Sequence, residues 1–397
     1  MGIPRLLWVV LLSLVVLGVG CRSTAPATLP SPPSSPPPPP VPKEVPPEFK
    51  ALWEAYTILS QEYVDKAKVQ PDMLARGAIR GMLQALEDPH TSYLPPDRYR
   101  YESQSLQGSF SGIGAEVYLR NGRIILNPMP GSPAERAGLR PGDTVLAVDG
   151  EPTDGWSIMQ AVSRIRGPRG TTVRLTILRL GESDPIEVSI VRDIITIESV
   201  FMNIMSDDIA YIRISAFYET TERSFVEKLR EAQRRGAKGI VLDLRNNPGG
   251  YLGVAVNIAS HFLKEGLVLY EVDGDGRRTE WRVRAGGLAT DVPLVVLVNQ
   301  FTASGGEVVA GALQDHGRSL LVGAKTLGKG SVNRMRQLSD GGGLYYTYAY
   351  WYTPKGRRIE GQGLLPDVEV PATARLGDPQ LEKAIETLKA AMAGARG

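Results

Sequence analysis

The chain has 397 residues but only one cysteine and three histidines. A single thiol excludes an internal disulfide, and so few soft ligands leave little with which to build a metal cluster. No metal or cofactor is expected. Excess charge of one sign is also lacking: 45 Lys plus Arg stand against 43 Asp plus Glu, a net charge of +2. That balance supplies no electrostatic footprint for nucleic acid. The apolar stretch at residues 6–20, interrupted by Ser13, falls short of the roughly 20 residues of a membrane-spanning helix. What is present is of globular character, 42% hydrophobic and 22% charged. The length allows two or three domains at about 150 residues each.

Positive charge in residues 1–5 ahead of the apolar stretch suits a signal peptide at 1–20. Gly20-Cys21 at its end resembles the processing site of bacterial lipoproteins, where the cysteine is acylated and becomes the new N-terminus. The usual leucine three places before the cysteine is Gly18 here, with Leu17 one place further back. An uncleaved anchor and a soluble secreted form are the alternatives. All three place the body of the protein outside the cytoplasm, in the periplasm if the envelope has two membranes. Residues 21–47 form a linker in which Pro32, Pro33 and the run 36–40 enforce extended geometry, about 3.1 Å per residue.

After the linker, Phe49, Leu52, Trp53, Tyr56, Leu59 and Tyr63 recur at helical spacing, followed by Leu74, Ala78, Ile79, Met82, Leu83 and Leu86. They predict two amphipathic helices suited to packing or dimerisation, the second stopped at Asp88-Pro89. His90 then reads as a hydrogen-bonded loop residue. From 108 to 193 the pattern is one of short strands. Segments 115–119 and 123–127 flank Asn121-Gly122, a two-residue hairpin signal. Ser132-Pro133 starts a short helix, 144–148 is a strand, and 154–166 is a helix with Ile158, Ala161, Val162 and Ile165 inward. A hairpin over 173–180 and 186–191 follows.

This segment resembles a PDZ domain through Gly131-Ser132-Pro133-Ala134-Glu135-Arg136-Ala137-Gly138-Leu139-Arg140-Pro141-Gly142-Asp143. Backbone N–H groups of Ser111, Gly112, Ile113 and Gly114 would hold a C-terminal carboxylate, and the strand from Ala115 would accept a peptide strand beside the 154–166 helix. A domain of this shape with a purely structural groove is the alternative.

From 194 onward strands and helices alternate. Strands at 209–215, 239–244, 294–298 and 344–352 interleave with helices at 220–235 and 251–263 and another running through Gln314; a last helix covers 381–392. The turns after 239–244 and 294–298 lie at strand C-terminal ends, where open α/β sheets bind ligands. His261 reads as a surface or packing residue, and Asp273-Gly274-Asp275-Gly276 as a turn, because spaced calcium ligands are missing. Residues 323–330 approach a phosphate-binding loop but place Gly330 where the hydroxyl belongs. A Ser-His-Asp triad fails as well: no G-x-S-x-G surrounds Ser304, and His316 follows at the far end of a helix of about 18 Å. Ser304 with Glu307 three places on forms a capping box, and Lys329 between glycines could be a surface lysine. Spacing alone leaves nucleophile and cap equally open.

The whole resembles the C-terminal processing peptidases, PDZ-containing tail-specific serine proteases, over residues 50–370. The resemblance rests on Glu87-Asp88-Pro89-His90-Thr91-Ser92-Tyr93, the PDZ block, Asp243-Leu244-Arg245-Asn246-Asn247-Pro248-Gly249-Gly250 and Thr302-Ala303-Ser304. Thr326-Leu327-Gly328-Lys329-Gly330, Tyr352-Thr353-Pro354-Lys355-Gly356-Arg357 and Gly363-Leu364-Leu365-Pro366-Asp367 continue it in order. It implies Ser304 as nucleophile and Lys329 as general base. It also implies an oxyanion hole from the N–H of Gly305 with Gly249 or Gly250, and support from Glu307, Asp315 and Thr326. A free lysine is protonated at neutral pH, so desolvation by Leu327 and Val332 is expected. The family's glutamine four places after the lysine is Asn333 here, one methylene shorter, and its orienting role is therefore in doubt.

The expected fold is multidomain α+β: a helical segment at 48–104, a PDZ domain at 105–193 that is β-rich with two helices, an α/β protease core at 194–371 built of strand-turn-helix units and resembling the crotonase/Clp-like fold, and a C-terminal helix in 372–397. The expected activity is a serine endopeptidase that takes protein substrates by free apolar C-termini, tethered to the membrane at its N-terminus. A non-enzymatic PDZ adaptor on a degenerate protease fold, and more remotely an enoyl-hydratase-like enzyme, are the alternatives.

Overall fold

The computed structural model describes residues 46–105, 108–371 and 377–394. The apolar leader, Cys21 and nearly all of the linker lie outside the described residues. Helices α1 (Lys50–Glu62) and α2 (Pro71–Gln84) are the two that the apolar spacing predicts. Pro71 opens the second where its missing N–H is no loss. Neither helix has a buried residue; Leu52, Trp53, Ile58 and Leu59 on α1 and Met73 and Met82 on α2 are all exposed. Strand β1 (Ser92–Leu94) and helix α3 (Pro96–Ser105), which the periodicity does not announce, lead onward.

The next unit holds β2 (Ser109–Gly112), β3 (Ala115–Arg120), β4 (Arg123–Pro128), α4 (Pro133–Arg136), β5 (Asp143–Val148), β6 (Glu151–Pro152), α5 (Ile158–Ile165), β7 (Thr172–Leu178), β8 (Ile186–Val191) and β9 (Asp193–Thr196). Its sheet runs β3-β4-β5-β7-β8. Asn121 and Gly122 both adopt positive φ, 51° and 74°, as a tight hairpin turn requires. The Pro141-Gly142-Asp143 sequence has a clear physical duty. Asp143 is buried, takes a two-pronged bond from Arg179 at 2.9 and 2.9 Å, and accepts the Arg140 N–H.

Two expectations for this unit are corrected. Helix α5 starts at Ile158, not 154, because Ser157 forms a capping box with Gln160. Ile158 in the first turn is therefore 42% exposed, while Ala161 and Ile165 are buried. Ser111 and Gly112 lie inside strand β2 rather than in an open loop. They pair with Ile194 and Asp193 in the β2–β9 ribbon, leaving only Ile113 and Gly114 outside the ladder. Strand β3 nonetheless remains an edge of its sheet, with α5 packed beside it.

The remaining elements are β10 (Val200–Met205), β11 (Ile209–Ile214), α6 (Thr221–Arg234), β12 (Gly239–Asp243), α7 (Leu252–Ser260), β13 (Leu267–Asp273), β14 (Arg278–Arg282), β15 (Leu294–Val298), α8 (Gly305–Asp315), β16 (Leu320–Gly323), β17 (Ser331–Gln337), β18 (Gly343–Tyr352), β19 (Val368–Glu369) and α9 (Pro379–Gly394). A six-stranded sheet runs β10-β11-β12-β15-β16-β19, antiparallel only between β10 and β11. Every residue of β12 and β15 is buried, the signature of parallel strands covered on both faces. Phe217, Phe225 and Phe262 are fully buried in the cluster on one side; truncating such a ring costs about 3–5 kcal/mol. Ala384 and Leu388 of α9 cover the other side.

A second sheet runs β1-β18-β13-β14, with β17 also paired to β18. The predicted turn at 273–276 closes the β13–β14 hairpin, where Asp273 Oδ1 accepts the N–H of Asp275 and Arg277. Among the described residues no helix is long and apolar enough to cross a membrane.

Candidate active site

The loops after β12 and β15 meet at the C-terminal edge of the parallel sheet. Thr302 Oγ1 donates to Leu244 O at 2.9 Å, and Ala303 N–H donates to Asn247 O at 2.9 Å. Asn247 is fully buried and donates through Nδ2 to Ile214 O. A reciprocal pair between Asn246 and Asn299 adds a second tie between the loops. Ser304 is held between β15 and α8 at φ 49°, ψ −117°. For a residue with a Cβ this conformation stores about 1–3 kcal/mol. It resembles in kind the strained strand-to-helix turn that presents other nucleophiles.

Glu307, one turn into α8, is fully buried and gathers four donors. Its Oε2 accepts the N–H of Ser304 at 3.0 Å and of Lys329 at 2.9 Å; its Oε1 accepts Thr326 Oγ1 at 2.5 Å and Gly328 N–H at 2.8 Å. Burial pushes its carboxyl above the ordinary range, and the four hydrogen bonds pull the other way. One carboxylate thus holds the backbones of Ser304 and Lys329. Thr326 adds a bond from Leu364 N–H at 2.7 Å.

The side chain of Lys329 is placed differently from expectation. Its Nζ donates to Tyr345 Oη at 3.4 Å and lies 5.6 Å from that ring's centre. No hydrogen bond joins it to Ser304. Asn333 does not touch it either: its Nδ2 donates to His90 O and Thr347 Oγ1, both at 3.1 Å. The shorter amide and a bulge between Val332 and Asn333 account for that. Leu327, expected to cover the amine, is 57% exposed.

Of the expected oxyanion donors, Gly249 N–H is taken by Asn247 Oδ1 at 2.8 Å. The N–H groups of Gly250 and Gly305 have no acceptor among the described residues. Gly249 itself lies against Ser304: a Cβ there would sit 2.7 Å from Ser304 Cβ and 2.9 Å from Gly305 N. Asp315 is remote, at the far end of α8. It accepts Lys355 N–H at 2.8 Å and pairs with Arg357, anchoring the helix rather than touching Ser304 or Lys329.

Family models match three stretches: peptidase family S41 over 208–370, a PDZ domain over 124–179, and the activating protease CtpB N-terminal domain over 40–97. The chain is 36% identical over 332 residues to the carboxy-terminal processing protease CtpA of Bacillus subtilis, covering 83% of this chain and 71% of that one. The chain belongs to peptidase family S41. A carboxyl-terminal-processing protease of Synechocystis is 40% identical over 297 residues, 73% of this S41 chain and 69% of the relative. The solved photosystem II D1 C-terminal processing protease aligns at TM-score 0.51 and 29% identity, over 87% of this chain and 98% of that one. This S41 protein is a peptidase of the carboxyl-terminal processing type with a PDZ domain. Its His316 sits at the end of α8 with Nε2 2.7 Å from Leu267 O, engaged away from Ser304. Sequence reasoning missed Tyr345 and Trp351, whose Nε1 donates to Lys329 O at 3.1 Å. Both lie on β18, 16 and 22 residues beyond the lysine, where no local spacing points to them.

Proposed function

We propose that this S41 peptidase is a serine endopeptidase in which Ser304 is the nucleophile and Lys329 the general base. The observation that carries the reading is the shared carboxylate of Glu307, which accepts the N–H of both residues. As Ser304 Oγ attacks the scissile carbonyl carbon, its proton passes to the neutral amine of Lys329. The carbonyl oxygen, now negative, receives the N–H of Gly305 and Gly250, which have no acceptor among the described residues. The proton then moves from Lys329 to the leaving amine, and the C–N bond breaks. A water, deprotonated by the same amine, releases the acyl group from Ser304. In this step the amine exchanges its Tyr345 hydrogen bond for one to Ser304 Oγ.

The PDZ edge strand β3, flanked by α5, takes the substrate's free apolar C-terminus as an added strand. Cleavage of one unstructured protein with free and with amidated C-termini tests both parts. The free form should be cut faster, and Ser304→Ala and Lys329→Ala should each abolish turnover. Background cleavage equal in all proteins would end the Ser304/Lys329 reading.

The exposed apolar faces of α1 and α2 are read as the contact with a second copy of this chain. Cys21 is read as the acylated N-terminus that tethers the enzyme outside the cytoplasm. Cys21→Ala should remove labelled fatty acid from the protein; a wild type that takes up no label would end that reading.

A further inference from the structure

The segment 88–94 comes from outside the parallel-sheet core, yet it is fastened to both flanks of Lys329. On the C-terminal flank, Asn333 Nδ2 donates to His90 O at 3.1 Å, and Thr347 N–H donates to Thr91 Oγ1 at 3.1 Å. Strand β1 then pairs residue by residue with β18, Ser92 opposite Tyr345. By its ring the same residue reaches the segment that contacts the glycines on either side of the lysine: His90 Nε2 lies 3.5 Å from Glu360 Oε1. Glu360 packs on the glycine that follows the lysine: a Cβ on Gly330 would be 2.2 Å from Glu360 N. Its neighbour Gly361 donates N–H to Gly328 O at 2.9 Å. The Oε2 of Glu360 is buried without a hydrogen-bond partner, and His90 Nε2 is the one basic nitrogen within 4 Å of this carboxylate among the described residues. The loop carrying His90 is itself set by Asp88, which accepts His90 N–H at 2.9 Å and Thr91 Oγ1 at 2.6 Å.

We propose that His90 is a positioning residue for Lys329. Its carbonyl anchors Asn333 and its ring anchors Glu360, so the segment after α2 clamps the base-bearing loop from both sides. Asn333 then acts on the base through His90 rather than by contact. The inference rests on the Ser304/Lys329 reading. Removing the imidazole should loosen the 328–330 backbone and misplace the amine without altering the PDZ groove or the Ser304 turn.

The test compares full-length wild type with His90→Ala, Glu360→Ala, the double variant, and His90→Gln, whose amide keeps a polar group within reach of Glu360. The substrate is an unstructured protein with a free apolar C-terminus. Each single alanine variant should lower kcat about tenfold with KM within about twofold. The double variant should be no worse than the poorer single, because both remove one contact. His90→Gln should recover most of kcat, and thermal midpoints should be recorded for all. Wild-type kcat in either alanine variant, multiplicative losses in the double, or losses that only track the unfolded fraction would each overturn the proposal. Ser304→Ala and Lys329→Ala run alongside: if either keeps turnover, it is the dyad that fails, whereas loss in these two with unaltered His90 and Glu360 variants rejects the clamp alone.

Discussion

At the scale of single residues, close approach governs this site more than charge. Ser304 sits in a conformation that its side chain disfavours, and Gly249 fills the space beside it with no side chain at all. Gly249 is also at φ 101°, where an L side chain is strained. Gly249→Ala should therefore lower kcat/KM by about a hundredfold or more, with the protein still folded by circular dichroism. Turnover near wild type would show that this contact is slack. The spacing of Ser304 and Glu307 was legible as a cap, and Glu307 does accept the Ser304 N–H. What the spacing could not show is that the same carboxylate also takes Thr326, Gly328 and Lys329, since those arrive from a loop some 20 residues away.

At the scale of elements, helices with a clear apolar stripe were readable, as were the strands of the PDZ hairpins and the buried strand at 294–298. The helix ending at Ser260 shows why burial, rather than periodicity, decides what a polar residue does. His261 caps it, its ring 5.7 Å from Phe225, and both ring nitrogens are buried without a partner. Burial pushes its pKa below the ordinary value. A histidine that must stay neutral to fold contributes stability fully above the unfolded pKa of about 6.5, and loses it as pH falls through that value toward the folded one. The urea midpoint should drop between pH 7.5 and 5.5, and His261→Phe, which keeps a ring but cannot titrate, should drop less. Equal slopes would exclude His261 as a source. Strands β1 and β17 went unread for a different reason. One has three residues and the other alternates weakly with Asn333, Arg334 and Arg336, and both depend on β18 for their hydrogen bonds.

At the scale of the whole molecule, the unpartnered faces of α1 and α2 are the largest unexplained feature. Large apolar patches on soluble proteins mark contact sites, and Trp53 is 70% exposed. If a second copy covers them, Trp53→Glu with Leu59→Glu should halve the mass measured by light scattering at micromolar concentration. A wild type that is already monomeric there would end the dimer reading. The segment that follows α2 is joined to β17 and β18, so the helical segment and the strands beside Lys329 are physically connected through 88–94.

The sequence by itself determined the order of the units, the PDZ-like block, the strand-turn-helix units of the core and the cap spacing of Ser304 and Glu307. These are local matters: apolar period, turn chemistry and motif order are written within a few residues of one another. Only the tertiary structure decided that Asn333 faces His90, that Tyr345 holds the amine, that Asn247 occupies the Gly249 N–H, and that Asp315 anchors a helix end instead of the site. Those depend on how the chain is brought together in space, across 243 residues for Asn333 and His90 and within one loop turn for Asn247 and Gly249. A side chain one methylene shorter or a single bulged residue is enough to redirect the contact.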